Sequence, residues 1–115
     1  MTAANYEITV EAGTTWQLVL TLKDDDDALV DLTNYTSRMM VRPSADSPAL
    51  FLSLTSESGI TMGDAAGTIT IDRSATQTST YKFTSGVYDL EIESASGTVT
   101  RIMEGDFLVK PEVTR

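Results

Sequence analysis

Apolar and polar residues alternate with a period of two along most of this chain, the pattern of strands with one face against a core. Tyr6, Ile8 and Val10 alternate with Glu7, Thr9 and Glu11 until Gly13 breaks the run. A second run opens at Thr15 and places Trp16, Leu18, Leu20 and Leu22 on one face, with Gln17, Val19 and Thr21 on the other. Trp16 is the expected core anchor. Lys23 to Asp27 reads as a hairpin connection into a short strand around Leu29 to Leu32, because Asp side chains bond their own backbone and tolerate turn dihedrals. A third long strand spans Tyr35 to Arg42, with Tyr35, Ser37, Met39 and Val41 sharing a face, and Pro43 ends it. Further strands are expected at Ala49 to Thr55, Ile60 to Met62 and Thr68 to Asp72. The last of these points Ile69 and Ile71 inward.

Ser74 to Tyr81 lacks strand periodicity, and Ser74 can cap one helical turn there. Tyr88, Leu90 and Ile92 then point inward between Asp89, Glu91 and Glu93, Ser94 to Gly97 forms a hairpin turn, and a long strand runs from Thr98 to Lys110. In that last strand the apolar parity changes: Val99, Met103, Phe107 and Val109 share one phase, Ile102 and Leu108 the other. Gly105 lies within it, which suggests a bulge or bend where the strand changes partner. The sum is eight or nine short strands at spacings of roughly ten residues, as in an antiparallel β-sandwich. The expected fold is all-β and Ig-like, a single domain over residues 1–115 with at most one helical turn near 74–81.

Composition supports a folded chain, since 41% of residues are apolar and no apolar run approaches the ~18 residues needed to cross a bilayer. Residues Met1 to Asn5 carry no basic or apolar leader, so no signal peptide is expected. Eight Lys and Arg against 17 Asp and Glu give a net charge of -9, which argues against nucleic acid or an anionic membrane as partner. The absence of Cys and His removes disulfides, thiolate nucleophiles and imidazole bases or ligands. Glu7, Glu11, Asp89, Glu91 and Glu93 take outward strand positions, where solvation is their ordinary role, rather than the fixed facing pair that glycosidase chemistry needs. Lys23, Lys82 and Lys110 sit in no recognisable Ser-Lys setting, and the glycines form no phosphate loop. The chain is therefore expected not to be an enzyme and to need no cofactor.

One cluster bears on cations. Asp24, Asp25, Asp26 and Asp27, with Asp31 nearby, offer the carboxylate oxygens that Ca²⁺ takes, but without the alternating ligands, central Gly and closing Glu of an EF-hand. A solvated hairpin tip is the expectation, with a Ca²⁺ site the alternative. Val19, Met40, Phe51 and Leu108 fall at outward parity and are the candidate interface residues. Arg38, Arg42, Arg73 and Arg101 stand in an acidic background, to pair internally or to meet an acidic neighbour.

Three stretches carry a resemblance: Val30 to Tyr35 (VDLTNY), Gly86 to Ile92 (GVYDLEI), and Gly97 through Pro111 to Arg115, ending PEVTR. With the acidic hairpin and the short helical connection between them, the chain resembles small β-sandwich virion proteins of tailed bacteriophages. In layout it is similar to the N-terminal attachment domain of upper baseplate proteins. The resemblance implies assembly in the virion, on the tail rather than the capsid surface. It implies a homo-oligomeric ring or cluster of copies whose partners are other phage structural proteins, an adaptor joining fibres or spikes to the tail or baseplate. The acidic hairpin departs from the pattern, with four Asp where an Asp-Gly turn is more typical. The alternatives are a capsid decoration protein and a carbohydrate- or cation-binding module, the latter suggested by Trp16, Tyr35, Tyr81 and Phe83.

Overall fold

The computed structural model describes residues 3–114. In chain order its strands are β1 (Ala4–Asn5), β2 (Ile8–Glu11), β3 (Trp16–Thr21), β4 (Thr36–Arg42), β5 (Leu52–Thr55), β6 (Ile60–Met62), β7 (Thr68–Arg73), β8 (Ser85–Glu93) and β9 (Val99–Lys110). A 3-10 turn, Asp64–Ala66, precedes β7, and a one-turn helix α1 (Ala75–Thr78) carries the chain from β7 to β8. Two sheets face each other. The larger runs β1-β9-β8-β4-β5 with β2 also on β9, and the smaller runs β3-β7-β6. Pairing between neighbouring strands is antiparallel except along β9, where β1 and β2 both pair parallel.

Strand periodicity builds the core as the sequence pattern requires. Trp16, Ile69, Ile71 and Ile60 come from the smaller sheet; Met39, Val41, Leu54, Tyr88, Leu90, Phe107 and Val109 come from the larger, all buried. Trp16 meets Phe107 edge-on at 5.5 Å between ring centroids, a contact that joins the two sheets where no disulfide is available. Ser74 caps α1 in a reciprocal box: its hydroxyl accepts from the Gln77 N–H at 3.1 Å and its own N–H donates to Gln77 Oε1 at 2.8 Å.

Several expectations are corrected. Residues Leu29 to Leu32 form no strand: one bridge joins Leu29 to Lys23, and Leu32 is wholly buried with its N–H donated to the Asp64 carbonyl at 2.9 Å. Strand β5 starts only at Leu52, after the loop from Pro43. The first expected strand starts only at Ile8, with Tyr6 half exposed instead of inward, and a two-residue strand, Ala4–Asn5, precedes it. In β9 the ladder slips not at Gly105 but opposite Leu90/Glu91: Leu90 faces Met103 and Glu91 faces Arg101, so Ile102 is the extra residue. That bulge explains the change of apolar parity, because Ile102 and Met103 are consecutive and both buried.

Gly105 instead marks the change of partner that its place in the strand suggested. On the outer side of β9 the parallel partner changes there from β1 to β2, and a Cβ at Gly105 would lie 2.4 Å from the Tyr6 carbonyl oxygen. The same carbonyl accepts the Tyr88 hydroxyl at 2.5 Å, with Tyr88 directly opposite Gly105 in the ladder. A backbone that passes this close needs the residue without a side chain.

Candidate functional site

The longest open sheet edge belongs to β3. Because β2 has left the smaller sheet to pair with β9, β7 is the only strand paired with β3 among the described residues. The Leu22 N–H donates to the Gly67 carbonyl at 2.8 Å and continues the register Trp16↔Arg73 to Thr21↔Thr68. In an antiparallel ladder hydrogen-bonded pairs alternate, so Trp16, Leu18 and Leu20 turn their backbone groups to β7, while Gln17, Val19 and Thr21 turn theirs to the free edge. That leaves a row of backbone donors and acceptors on a six-residue strand with no charged side chain, Trp-Gln-Leu-Val-Leu-Thr. Edges of this kind are templates for another strand unless they are short, charged or covered. The edge strands β5 and β6 have four and three residues, and β2 has four and ends on Glu11.

The four candidate interface residues do not converge on one patch. Val19 is 55% exposed on the outer face of the smaller sheet, beside the open edge and opposite Thr70. Met40 and Leu108 are half-buried on the outer face of the larger sheet, two strands apart, Met40 level with Asp89 and Leu108 level with Ser85. Phe51 is 38% exposed, but from the loop before β5 rather than from a strand face. Its ring stacks on Phe83 at 4.4 Å, and Phe83 reaches Phe107 at 5.9 Å and Tyr81 at 6.1 Å, so Phe51 ends an aromatic row that runs into the core. Alternation could not show this, because Phe51 precedes β5 and follows no strand period.

Charged residues occupy the middle of the larger sheet's outer face. Arg38 on β4 bonds Glu91 at 3.1 Å and Glu93 at 3.0 Å, and Arg101 on β9 approaches Asp89 at 3.3 Å and Glu91 and Glu104 at 3.8 Å. Burial, and then Glu91 beside it, raises the pKa of Asp89 above the ordinary carboxylate value, and Arg101 opposes the rise. Hydrogen bonds to Glu93 and Glu91 hold Arg38 charged. The lattice is largely solvated, so it fixes strand register more than it adds stability. Arg42 is used differently: its guanidinium ties down the following loop, with Nη1 donating to the Pro48 and Ala49 carbonyls at 3.2 Å.

The aspartate run is a turn. Asp24 Oδ1 accepts the N–H groups of Asp26 at 2.9 Å and Ala28 at 3.0 Å, and Asp27 takes a left-handed φ of 63°. Asp24 is thus committed to the backbone, and Lys23 lies 3.6 Å from Asp27. Asp24, Asp25, Asp26 and Asp27 are not brought into a metal-holding cluster, and no group of three or more acidic residues with that geometry occurs among the described residues. The Asp31 carboxylate accepts both the N–H and the hydroxyl of Thr33, at 2.9 Å and 2.6 Å, which lowers its pKa and shapes the corner before β4.

No protein-family model and no curated protein matches the chain. Among solved structures it is similar to a crystal structure of chicken TCR, with a TM-score of 0.53 and 15% sequence identity, over 96% of this chain and 56% of that one. The fold is an all-β, Ig-like sandwich. The chain spans little more than half the length of the structure it matches, and the likeness at this identity bears on the fold alone.

Proposed function

We propose that the protein is a non-enzymatic structural component of a tailed-bacteriophage virion, an adaptor in the tail or baseplate that joins fibres or spikes to the tail. The observation that carries this reading is the open edge of β3, six uncharged residues that offer the backbone groups of Gln17, Val19 and Thr21 to an incoming strand. Strand addition takes its affinity from main-chain hydrogen bonds and its selectivity from the side chains on alternate faces. Val19 is the exposed apolar side chain at that edge, in a surface otherwise made of Gln17, Thr21, Thr68, Thr70 and Asp72. The resemblance of the Asp-Leu-Thr-x-Tyr, Gly-x-Tyr-Asp-Leu-Glu and Pro-Glu-Val-Thr-Arg segments to phage virion proteins supports the same reading. One added strand binds modestly; several copies in a ring make a firm joint through effective concentration.

The test is immunogold electron microscopy of particles of the phage whose genome encodes the chain. Label on the tail tip or baseplate is the expected result. Label confined to the head would assign it to capsid decoration instead, and particles without label would remove the virion reading. The carbohydrate-module alternative drew on four aromatics, of which Trp16 is buried in the core and only Tyr81 and Phe83 line a common cleft.

A further inference from the structure

A cleft of about 760 Å³ opens at one end of the sandwich, lined by Leu50, Phe51 and Leu52 before and within β5, Arg73 at the end of β7, and the segment from Thr80 to Ser85. Its floor is the aromatic row described above, with Phe51 stacked on Phe83. Two polar atoms buried in its wall, Arg73 Nε and the Tyr81 hydroxyl, have no acceptor for their protons. Tyr81 as a whole is 7% exposed, and burial holds its hydroxyl protonated, against a side-chain hydrogen bond from the Arg73 guanidinium and then its charge. Arg73 Nε can only donate, whereas the Tyr81 hydroxyl can accept from that guanidinium and still has its own proton to donate. Buried donors left without acceptors are costly and uncommon in native proteins. The lining also includes Lys82 and no carboxylate, in a chain with 17 acidic residues.

We propose that this cleft binds a carboxylate carried on an apolar, preferably aromatic, body. The carboxylate oxygens accept from Arg73 Nε and from the Tyr81 hydroxyl, with Lys82 at the rim adding charge, while the body lies against Leu50 and the exposed side of Phe51. Arg is suited to this role because its guanidinium presents fixed donors that match a carboxylate. The same chemistry is found on a free aryl acid and on the C-terminal residue of a polypeptide, and the experiment separates these sources. The site is independent of the β3 edge, so its failure would leave the adaptor reading as it stands.

The test is a ¹H–¹⁵N NMR titration of the full chain, following the Arg73 Nε–H signal and the amides of Thr80 to Ser85. Phenylacetate is expected to shift these signals saturably, and phenylacetamide to bind at least about tenfold more weakly, the factor for losing one charge-assisted hydrogen bond. Tyr81→Phe and Arg73→Met should each weaken phenylacetate by about that factor. A peptide ending in Phe with a free carboxylate, set against its C-terminal amide, identifies the source: tighter binding than phenylacetate marks a polypeptide end, weaker binding a small acid. Equal binding of phenylacetate and its amide to the unaltered protein, or no saturable shift at Arg73 Nε–H, would overturn the proposal, and neither result depends on a variant folding.

Discussion

Gly105 and Tyr88 meet at one carbonyl, that of Tyr6, and together they fix where β1 gives way to β2 along β9. Gly105→Ala sets a methyl against that oxygen at a φ of +155°, and should cost on the order of 2 kcal/mol in urea unfolding at pH 7. Tyr88 also gives the stability a pH dependence. Burial raises its pKa well above the ordinary tyrosine value. A group whose folded pKa exceeds its unfolded one contributes fully below the unfolded value, about 10 for tyrosine, and the contribution is lost as pH rises through the folded value. The unfolding midpoint should therefore fall above about pH 10, and Tyr88→Phe should flatten that fall while lowering stability near neutral pH by about 1 kcal/mol. A Gly within the last strand and an inward-pointing Tyr were legible in the sequence. Their shared carbonyl was not, because Tyr6 and Tyr88 lie 82 residues apart.

At the scale of elements, α1 is a clasp as much as a connection. Thr78, wholly buried at its end, donates its hydroxyl to the Thr14 carbonyl at 2.7 Å and accepts the Gly13 N–H at 3.1 Å, pinning the helix to the turn between β2 and β3. Thr78→Val keeps the shape and removes both bonds, leaving a part-buried N–H and C=O without that partner; a loss of roughly 2 kcal/mol in thermal or urea unfolding is expected. The helical turn itself was readable from Ser74, since an N-cap is a local signal, and the structure adds the reciprocal bond to Gln77. The strand periods of β3, β4, β7 and β8 were equally local and equally legible. What local pattern could not supply was pairing. The bulge at Ile102 appears in sequence only as mixed parity, and the natural suspect, Gly105, is three residues away. Residues Leu29 to Leu32 look strand-like, yet Leu32 fills a hole in the core from a loop, because a buried apolar residue need not belong to a ladder.

For the whole molecule, the decisive arrangement is which strand lies beside which. The chain begins its sandwich by pairing β1 and β2 with the last strand, and that long-range choice uncovers β3. The sequence displayed the uncharged run from Trp16 to Thr21 and the exposed phase of Val19, but not that this strand would stand at an edge. The same holds for the candidate interface set: Val19 lies beside that edge, Met40 and Leu108 sit around a lattice of carboxylates and arginines on the opposite sheet, and Phe51 belongs to the aromatic row. Arg73 and Tyr81 come together only because the end of β7 and the segment after α1 converge on one cleft. The central claim is that neighbours in the virion add a strand to β3. Amide hydrogen exchange at Gln17, Val19 and Thr21, compared between the isolated chain and the chain within assembled particles, tests it most directly. The account predicts fast exchange at all three in isolation and strong protection in the particle; unchanged exchange at these amides after assembly would contradict it.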